Sequence, residues 1–451
     1  MGSNPIQGTK AQPTWEDLQE KQERRQRWDW VEASVWTDGM LAALESGVKG
    51  GKWFSLIDKV YACANLDSAW QAVMRNKGAA GIDRVTVERY KRQQAKYLLE
   101  LSAGIKEKTY RPQGVMRVHI PKGDGKTRPL GIPTVNDRVA QAAVKQVIEP
   151  ILDKEFLPIS YGFRPKRGAK GALREVDRLL KEGFTWVVDA DFKSYFDTIP
   201  HERLMAKLER YIADGRVLDL VRLFLKQQIL EENKNWIPTE GSPQGGVLSP
   251  LLANLYLHDL DVAITQAGYK MIRYADDFVI LTKSQEEATA ALRLVQDWVT
   301  ENELILHPDK THVGDCTIEG EGFEFLGYRF EAGQKWVRQK SILKLRESIR
   351  QKTSRVRSGS MEMIVEELNR MLRGWYNYFK HVTKYNLNTF DAFVRRRLRA
   401  ILCQRHKQRG FGRGNESHKK WPNAYFAKLG LFTMEDTRVL EVARRSRCGN
   451  C

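Results

Sequence analysis

Two short apolar segments, each carrying aspartates, constrain the fold of this chain more than any other feature. They are Trp186-Val-Val-Asp-Ala-Asp-Phe192 and Met271-Ile-Arg-Tyr-Ala-Asp-Asp-Phe-Val-Ile-Leu281. An apolar run of this length is typical of a buried strand, and a strand that carries carboxylates delivers them to its end. In the second segment two apolar halves meet at an Asp-Asp pair, which predicts a β-hairpin with Asp276 and Asp277 at its tip.

Carboxylates placed in this way suit nucleotidyl transfer, which uses two divalent metal ions about 4 Å apart. Mg²⁺ prefers carboxylate oxygens and keeps several waters, so two or three aspartates from different strands suffice. We expect Asp191, Asp276 and Asp277 to supply them. Asp189 is the rival to Asp191, because it lies two residues away on the same strand face. By itself, however, an Asp-Asp pair is also typical of a solvated turn, and Asp189, Asp191 and Asp197 could equally cap the helix that follows.

Further motifs carry a resemblance to a known family. Tyr274-Ala-Asp-Asp277 resembles the YxDD box of reverse transcriptases, and residues 189–197 resemble the first palm motif. Residues 241–254 resemble the group II intron version of the next motif. The other matching blocks are residues 76–83, Lys122 with residues 128–133, residues 160–165, 307–311 and 325–328, and the maturase (X, or thumb) motif at 374–379. The chain is thus similar to group II intron-encoded reverse transcriptases with a maturase domain.

The resemblance implies roles for individual residues. Asp191, Asp276 and Asp277, with the backbone carbonyl of Phe192, would hold two Mg²⁺ ions, for which Mn²⁺ can substitute. Phe196, five residues after Asp191, takes the position of the steric gate that excludes a ribose 2′-hydroxyl. The remaining assignments are Lys122 and Arg128 for the triphosphate, Gln244 for the incoming nucleotide, Lys310 as proton donor to pyrophosphate, and Tyr274 as support for the primer terminus.

The positive charge of the chain is concentrated in its last third. The formal net charge is +18, and residues 335–451 hold 28 lysines and arginines against nine aspartates and glutamates. Such an excess indicates a polyanionic partner. The densest cluster runs from Arg395 to Arg399, so we predict phosphate contacts for Arg395, Arg396, Arg397 and Arg399, with a solvated helix face as the alternative.

The fold class that these observations imply is α+β. We expect a right-hand polymerase, with fingers and palm built on an antiparallel sheet, followed by an α-helical thumb or maturase domain. The predicted domains are an N-terminal helical extension (1–60), fingers and palm (61–334), the thumb (335–410) and a basic C-terminal tail (411–451).

Periodicity and turn signals predict the individual elements. They indicate a β-hairpin at 115–133, a β segment at 323–330 and helices at 137–156, 169–182, 201–228, 285–304, 340–357, 360–381 and 388–407. In the tail, residues 418–426 combine basic and aromatic side chains, which suits phosphate contact with stacking or, equally, a small hydrophobic cap on the thumb.

Composition excludes several other classes of protein. No apolar run is long enough to span a bilayer, and the amino terminus has no signal-peptide core, so we expect a cytoplasmic, nucleoid-associated protein with no membrane partner. The five cysteines are scattered, which is no disulfide framework. Cys448 and Cys451 form a lone CxxC, which we interpret as part of a frayed tail rather than a zinc site.

The resemblance predicts an RNA-directed DNA polymerase that also acts as a maturase in group II intron splicing and mobility. Its partners would be an RNA template, a DNA or RNA primer, dNTPs, group II intron RNA and target DNA. The chain has no room for the HNH nuclease of many relatives, so we expect a primer made elsewhere. Two alternatives stay open: a domesticated reverse transcriptase in DNA repair or defence, and a splicing factor without polymerase activity.

Overall fold

The computed structural model describes residues 15–123, 126–232, 234–382 and 387–448. The chain divides into two compact units, one of residues 1–179, 190–281 and 286–312, the other of residues 180–189, 282–285 and 313–451. Helices and sheets are mixed as the sequence predicts, so the fold class α+β is confirmed. In the described parts of the chain, no helix combines the length and the apolar character that crossing a bilayer requires.

Helices dominate the first unit, and several begin at a side chain suited to capping. Thr37, Thr86 and Thr134 each accept a hydrogen bond from a backbone N–H in the first turn of the helix that follows. Such caps satisfy donors that a helix start leaves unpaired. The helices are α1 (Trp15–Arg27), α2 (Asp38–Ser46), α3 (Ile57–Tyr61), α4 (Cys63–Asn76), α5 (Val87–Arg92), α6 (Gln94–Lys106), α7 (Val135–Glu155), α8 (Ala169–Lys181), α9 (His201–Leu208), α10 (Gly215–Leu225), α11 (Ser249–Gln266) and α12 (Gln285–Glu301).

The predicted hairpin at 115–133 is present. Strands β1 (Val115–Gly123) and β2 (Lys126–Ile132) pair antiparallel from Met116 opposite Ile132 to Gly123 opposite Lys126. They form a four-stranded sheet, in the order β2-β1-β4-β5, with β4 (Ile229–Glu231) and β5 (Lys234–Trp236).

A second four-stranded sheet carries the aspartate segments. Its strands are β3 (Trp186–Asp191), β6 (Lys270–Tyr274), β7 (Asp277–Thr282) and β8 (His312–Asp315), in the order β6-β7-β3-β8. β6 and β7 pair antiparallel, with Tyr274 opposite Asp277, so the predicted hairpin with Asp276 and Asp277 at its tip is confirmed.

The prediction of a single helix at 201–228 is wrong, because the chain forms two helices there, α9 and α10. Asp214 causes the break. Its carboxylate accepts the N–H groups of Arg216 at 3.0 Å and Val217 at 3.2 Å, which caps α10. It also accepts those of Leu56 at 2.6 Å and Ile57 at 2.8 Å. One buried carboxylate therefore starts a helix and holds a distant loop.

The second unit combines a small sheet with a helical bundle. The single β segment predicted at 323–330 is instead a hairpin of β9 (Phe323–Phe325) and β10 (Tyr328–Glu331), extended by β11 (Gln334–Val337). Leu326 and Gly327 form its turn with positive φ angles of 49° and 83°, the conformation that two-residue hairpins favour. The helices are α13 (Gln339–Lys352), α14 (Met361–Phe379), α15 (Leu387–Arg405), α16 (Asn415–Lys420), α17 (Asn423–Lys428) and α18 (Met434–Cys448).

Part of the segment predicted as a basic C-terminal tail packs into this helical bundle. Trp421, Phe426, Leu431 and Met434 belong to the same buried cluster as residues of α14 and α15. Asp391 in α15 accepts the N–H groups of Met434 at 3.0 Å and Glu435 at 3.1 Å, so it caps α18. Residues 415–434 are therefore part of the thumb rather than a free basic tail, and the hydrophobic cap was the better alternative. The side chains of Cys448 and Cys451 lie outside the described residues.

A substitution in this segment tests its structural role. Phe426 is fully buried, so Phe426→Ala should lower the free energy of unfolding by about 3–5 kcal/mol through lost burial and an unfilled cavity. Urea titration followed by circular dichroism measures the change. Phe411→Ala, at a phenylalanine 62% exposed, is the matched control and should stay close to wild type. Equal effects of the two substitutions would contradict the packing described here.

Candidate active site

The three predicted catalytic aspartates lie at one edge of the second sheet. β3 and β7 are neighbours, and the Thr282 hydroxyl at the end of β7 donates to the Trp186 carbonyl at the start of β3, at 3.3 Å. The two strands therefore run in opposite directions, which brings the end of β3 beside the start of β7. The Phe192 and Phe278 rings, one residue beyond Asp191 and Asp277, lie 5.5 Å apart.

Asp191 is held from two sides. Its backbone carbonyl accepts the His307 N–H at 2.7 Å, and its carboxylate forms an ion pair with the Lys310 ammonium group. Lys310 ends a 3₁₀ turn, Pro308–Lys310, that follows α12. The structure thus brings together two residues that are 119 positions apart and that the sequence assigned separately.

The turn that carries Asp276 is backbone-strained. Ala275 has a φ angle of 61°, a left-handed conformation that residues other than glycine adopt rarely. Strain of this kind persists only where the surroundings fix it, and it concentrates at functional sites. Ala275 is buried, and Asp276 and Asp277 are half-buried. One side of this turn therefore packs against the rest of the protein.

Arg273 supplies that fixation. Its guanidinium is fully buried, donates to both Asp261 carboxylate oxygens at 2.7 and 2.5 Å, and donates to the Ala275 carbonyl at 2.8 Å. Asn254 in α11 accepts a further hydrogen bond at 2.9 Å. Burial opposes the charge of Arg273, but Asp261 more than offsets it, and the pKa of Arg273 is raised. This role of Arg273 was not predicted, although an arginine inside an apolar strand indicates a buried partner.

The residues predicted to bind the nucleotide meet at the sheet of the β1–β2 hairpin. The Arg128 Nε donates to the Gln244 side-chain oxygen at 2.8 Å, and the Gly131 N–H donates to the Gln244 carbonyl at 2.6 Å. Gly245 has a φ angle of 113°, and a Cβ there would collide with the Gly131 carbonyl oxygen. Glycine is therefore required for this close approach. Lys122 lies in β1, but its side chain is outside the described residues.

Phe196 lies beside the same loop. Its ring is 8% exposed and packs edge-on against Tyr195 at 5.5 Å, and its carbonyl accepts the Ser242 N–H at 2.7 Å. Burial raises the pKa of the neighbouring Asp197, although Arg117 and Arg128 oppose the shift. The structure thus places Phe196 next to Ser242, at the start of the loop that holds Gln244.

The four arginines of the predicted nucleic-acid cluster separate into two groups. Arg395 and Arg396 are half-buried and line an open hollow of about 520 Å³, to which Arg413 and His418 add. Burial and the nearby charges of Arg413 and Arg350 lower the pKa of Arg396, so these cations converge on one surface.

Arg399 and Arg397 make structural contacts instead. Arg399 is 2% exposed and donates to the Trp421 carbonyl at 2.8 Å and the Asn423 side chain at 2.7 Å. Arg399 also lines the hollow of Arg395 and Arg396, so its contact with phosphate stays a prediction. Arg397 donates to the Thr353 carbonyl at 2.7 Å and keeps only part of its guanidinium at the surface.

The donor set suits a hard divalent cation in its chemistry. Three carboxylates and the Phe192 carbonyl are the oxygen ligands that Mg²⁺ prefers. Asp191 already has a cationic partner, the Lys310 ammonium group. In the described residues, no group of three or more His, Cys, Asp or Glu side chains is gathered closely enough to hold a metal ion.

Comparison with known protein families agrees with this geometry. Residues 120–330 match the family described as reverse transcriptase (RNA-dependent DNA polymerase), and residues 342–421 match the maturase-specific domain of group II introns. The first match contains Asp191, Asp276 and Asp277, together with the loop that holds Gln244. The second contains most of the thumb bundle, including Trp421.

Individual relatives support the same assignment. The protein YkfC of Escherichia coli is 34% identical over 308 residues, which are 58% of this chain and 79% of that protein. The group II intron-encoded protein LtrA of Lactococcus lactis is 39% identical over 208 residues, 46% of this chain and 34% of LtrA. The putative COX1/OXI3 intron 1 protein of Saccharomyces cerevisiae is 31% identical over 200 residues, 44% of this chain and 24% of that protein. The chain thus spans only about a third of LtrA.

Fold, site and relatives define an RNA-directed DNA polymerase domain followed by a maturase domain. The chain belongs to the family of group II intron-encoded reverse transcriptases and maturases.

The buried ion pair of Arg273 and Asp261, which holds the turn of Asp276, leads to a prediction about stability. Asp261→Asn should lower the free energy of unfolding by about 3–5 kcal/mol, because it leaves the Arg273 charge buried without a counter-charge. Thermal unfolding measures the loss. The control is Glu303→Gln, which breaks an exposed ion pair with Arg203 and should cost less than about 1 kcal/mol. A small effect at Asp261 would show that the turn does not depend on this pair.

Proposed function

We propose that this protein copies RNA into cDNA by nucleotidyl transfer at the aspartate edge. The observation that carries the proposal is the placement of Asp191 beside the strained turn that holds Asp276 and Asp277. These carboxylates and the Phe192 carbonyl would hold two Mg²⁺ ions, with Mn²⁺ as a substitute. Ions held there would activate the primer 3′-oxygen and stabilise the leaving pyrophosphate.

Lys310 has two tasks in this proposal. In the absence of metal it compensates the charge of Asp191, to which it is paired. Its pairing also keeps an ammonium donor beside the reacting phosphates. From that position Lys310 Nζ can donate a proton to pyrophosphate as the bond to the leaving group breaks.

Arg128 and Gln244 would receive the nucleotide. Their hydrogen bond fixes the guanidinium before the substrate arrives, and a fixed fork of donors suits the oxygens of a triphosphate. We assign Lys122 to the same triphosphate as a point charge. Phe196 would then lie against the sugar, where its ring leaves no room for a 2′-hydroxyl.

The helical unit would hold nucleic acid through phosphates. Arg395 and Arg396 offer positive charge, and no aspartate or glutamate lies among the described residues that line their hollow. Contacts of this kind bind a phosphate backbone without sequence choice. We propose template–primer duplex and group II intron RNA as the partners, with splicing assistance and intron mobility, including contact with target DNA, as the biological outcome.

Primer extension tests the polymerase. The purified protein with Mg²⁺, a DNA primer annealed to an RNA template and four dNTPs should extend the primer, and the double variant Asp276→Ala, Asp277→Ala should lose at least about 1,000-fold in rate because the metal ligands are gone. If neither protein extends while both bind intron RNA tightly, the chain is a splicing factor and the polymerase proposal is wrong.

Sugar selection tests Phe196. Phe196→Ala should raise the kcat/KM for ribonucleotides relative to deoxynucleotides by roughly 10- to 100-fold, because the ring that meets the 2′-hydroxyl is removed. Single-nucleotide insertion with dATP and ATP measures the ratio. Phe196→Tyr keeps the ring and should keep the wild-type preference. Unchanged selection in Phe196→Ala would remove the assignment.

A further inference from the structure

A buried glutamine lies against the loop that holds Gln244. Gln141 is in α7 and is only 3% exposed. Removing a carboxamide from water costs free energy unless its oxygen and nitrogen find partners, so the partners of Gln141 indicate its role. Its side-chain oxygen accepts the Val247 N–H at 2.8 Å and, more weakly, the Leu248 N–H at 3.5 Å.

These two N–H groups lie at the start of α11. Leu248 immediately precedes the helix, and its side chain makes no capping hydrogen bond. The first N–H groups of a helix have no partner within it, so another segment must supply an acceptor. Gln141 supplies one from α7, 106 positions earlier in the chain than Val247. It therefore ties the start of α11 to α7.

Two glycines separate Val247 from Gln244. Glycine has more conformational freedom than any other residue, so this segment keeps one shape only where both of its ends are held. At one end the Gly131 N–H donates to the Gln244 carbonyl at 2.6 Å, and at the other Gln141 holds Val247. The contact is close, because a Cβ on Gly246 would lie 3.3 Å from the Gln141 side-chain oxygen. The position of Gln244 therefore depends on both bonds.

The nitrogen of the Gln141 carboxamide is held as well. It donates to the Gln227 side-chain oxygen at 3.2 Å, and the Gln227 nitrogen donates to the Gln113 carbonyl at 2.8 Å. Asp137, one turn earlier in α7, accepts the Gln113 N–H at 3.0 Å and the Tyr110 hydroxyl at 2.6 Å. Polar groups that satisfy one another in a buried network are rigid, so the Gln141 oxygen keeps a fixed direction.

We propose that Gln141 is a positioning residue for the nucleotide site: through the Val247 N–H it fixes the loop in the conformation in which Gln244 receives the incoming dNTP. The proposal rests on the proposed polymerase function, because it takes a dNTP as the ligand of Gln244. Gln141 is buried and acts through the loop, so its loss should weaken nucleotide binding more than it slows bond formation.

Steady-state primer extension separates these two effects. Gln141→Met keeps the length of the side chain and removes both of its hydrogen-bonding atoms, so the Val247 N–H loses its acceptor. We expect the KM for dNTP to rise roughly 5- to 100-fold, while kcat stays within about 3-fold of wild type. Gln141→Asn is a milder second variant, because it stays polar but withdraws the oxygen from Val247, and it should shift KM in the same direction.

A control at another buried amide separates positioning from general destabilisation. Asn65 in α4 is fully buried and donates to the Ala143 carbonyl of α7 at 3.2 Å. Asn65→Leu removes a hydrogen bond to the same helix, so it should lower the unfolding temperature and leave KM unchanged. If Asn65→Leu raised KM as much as Gln141→Met does, loss of stability would explain both results and the proposal would be wrong.

A double variant tests the route through Gln244. In a Gln244→Ala background, Gln141→Met should raise KM no further, because both substitutions then act on one contact. Effects that multiply would contradict the proposed route.

Hydrogen–deuterium exchange of residues 243–249, followed by mass spectrometry, gives a readout that needs no catalysis. Exchange should be faster in Gln141→Met than in wild type and in Asn65→Leu, because the loop loses one of its two anchors. Unchanged exchange would overturn the role of Gln141. Primer extension by the wild type is scored separately: its absence refutes the polymerase function, whereas normal extension with unchanged exchange and KM refutes the positioning role alone.

Discussion

The turn that carries Asp276 depends on a charge that is fully buried. Arg273 lies inside the first unit, where an unpaired guanidinium would be prohibitively unstable, and Asp261 neutralises it through two hydrogen bonds. Because α11 carries Asp261 and β6 carries Arg273, the pair fixes the helix to the strand. The remaining donors of the guanidinium reach Asn254 and Ala275, so the same interaction sets the backbone of the turn that presents Asp276.

Close approaches of main chain complete the site around this pair. Gly162 lies against Ala275. Gly245 lies against Gly131, and this contact joins the β1–β2 hairpin to the loop that holds Gln244. Neither contact tolerates a side chain. The turn that carries Asp276 and the loop that holds Gln244 are therefore positioned by backbone contacts. Such contacts vary less with side-chain motion than contacts between long polar residues do. This arrangement suits a site in which reacting atoms must be held within a few tenths of an ångström.

The sequence predicts much of this structure, and its failures have physical causes. The aspartate hairpin, the fingers hairpin and the main thumb helices follow from periodicity and turn residues, which are local signals. The break at Asp214 was missed because its carboxylate also binds residues 56 and 57, far away in the chain. The structural contacts of Arg399 were not predicted because charge density in a sequence does not reveal burial, which depends on how Trp421 folds back. The pairing of Lys310 with Asp191 is equally non-local, and motif spacing alone could not give it.

The ion pair between Lys310 and Asp191 has a consequence for how this protein acquires metal. The Lys310 ammonium group neutralises one of the three carboxylates, that of Asp191, so the aspartates repel one another less than they would without the lysine. A divalent cation that binds Asp191 would therefore meet a carboxylate that is already paired, and part of its binding free energy would offset the weakening of that pair.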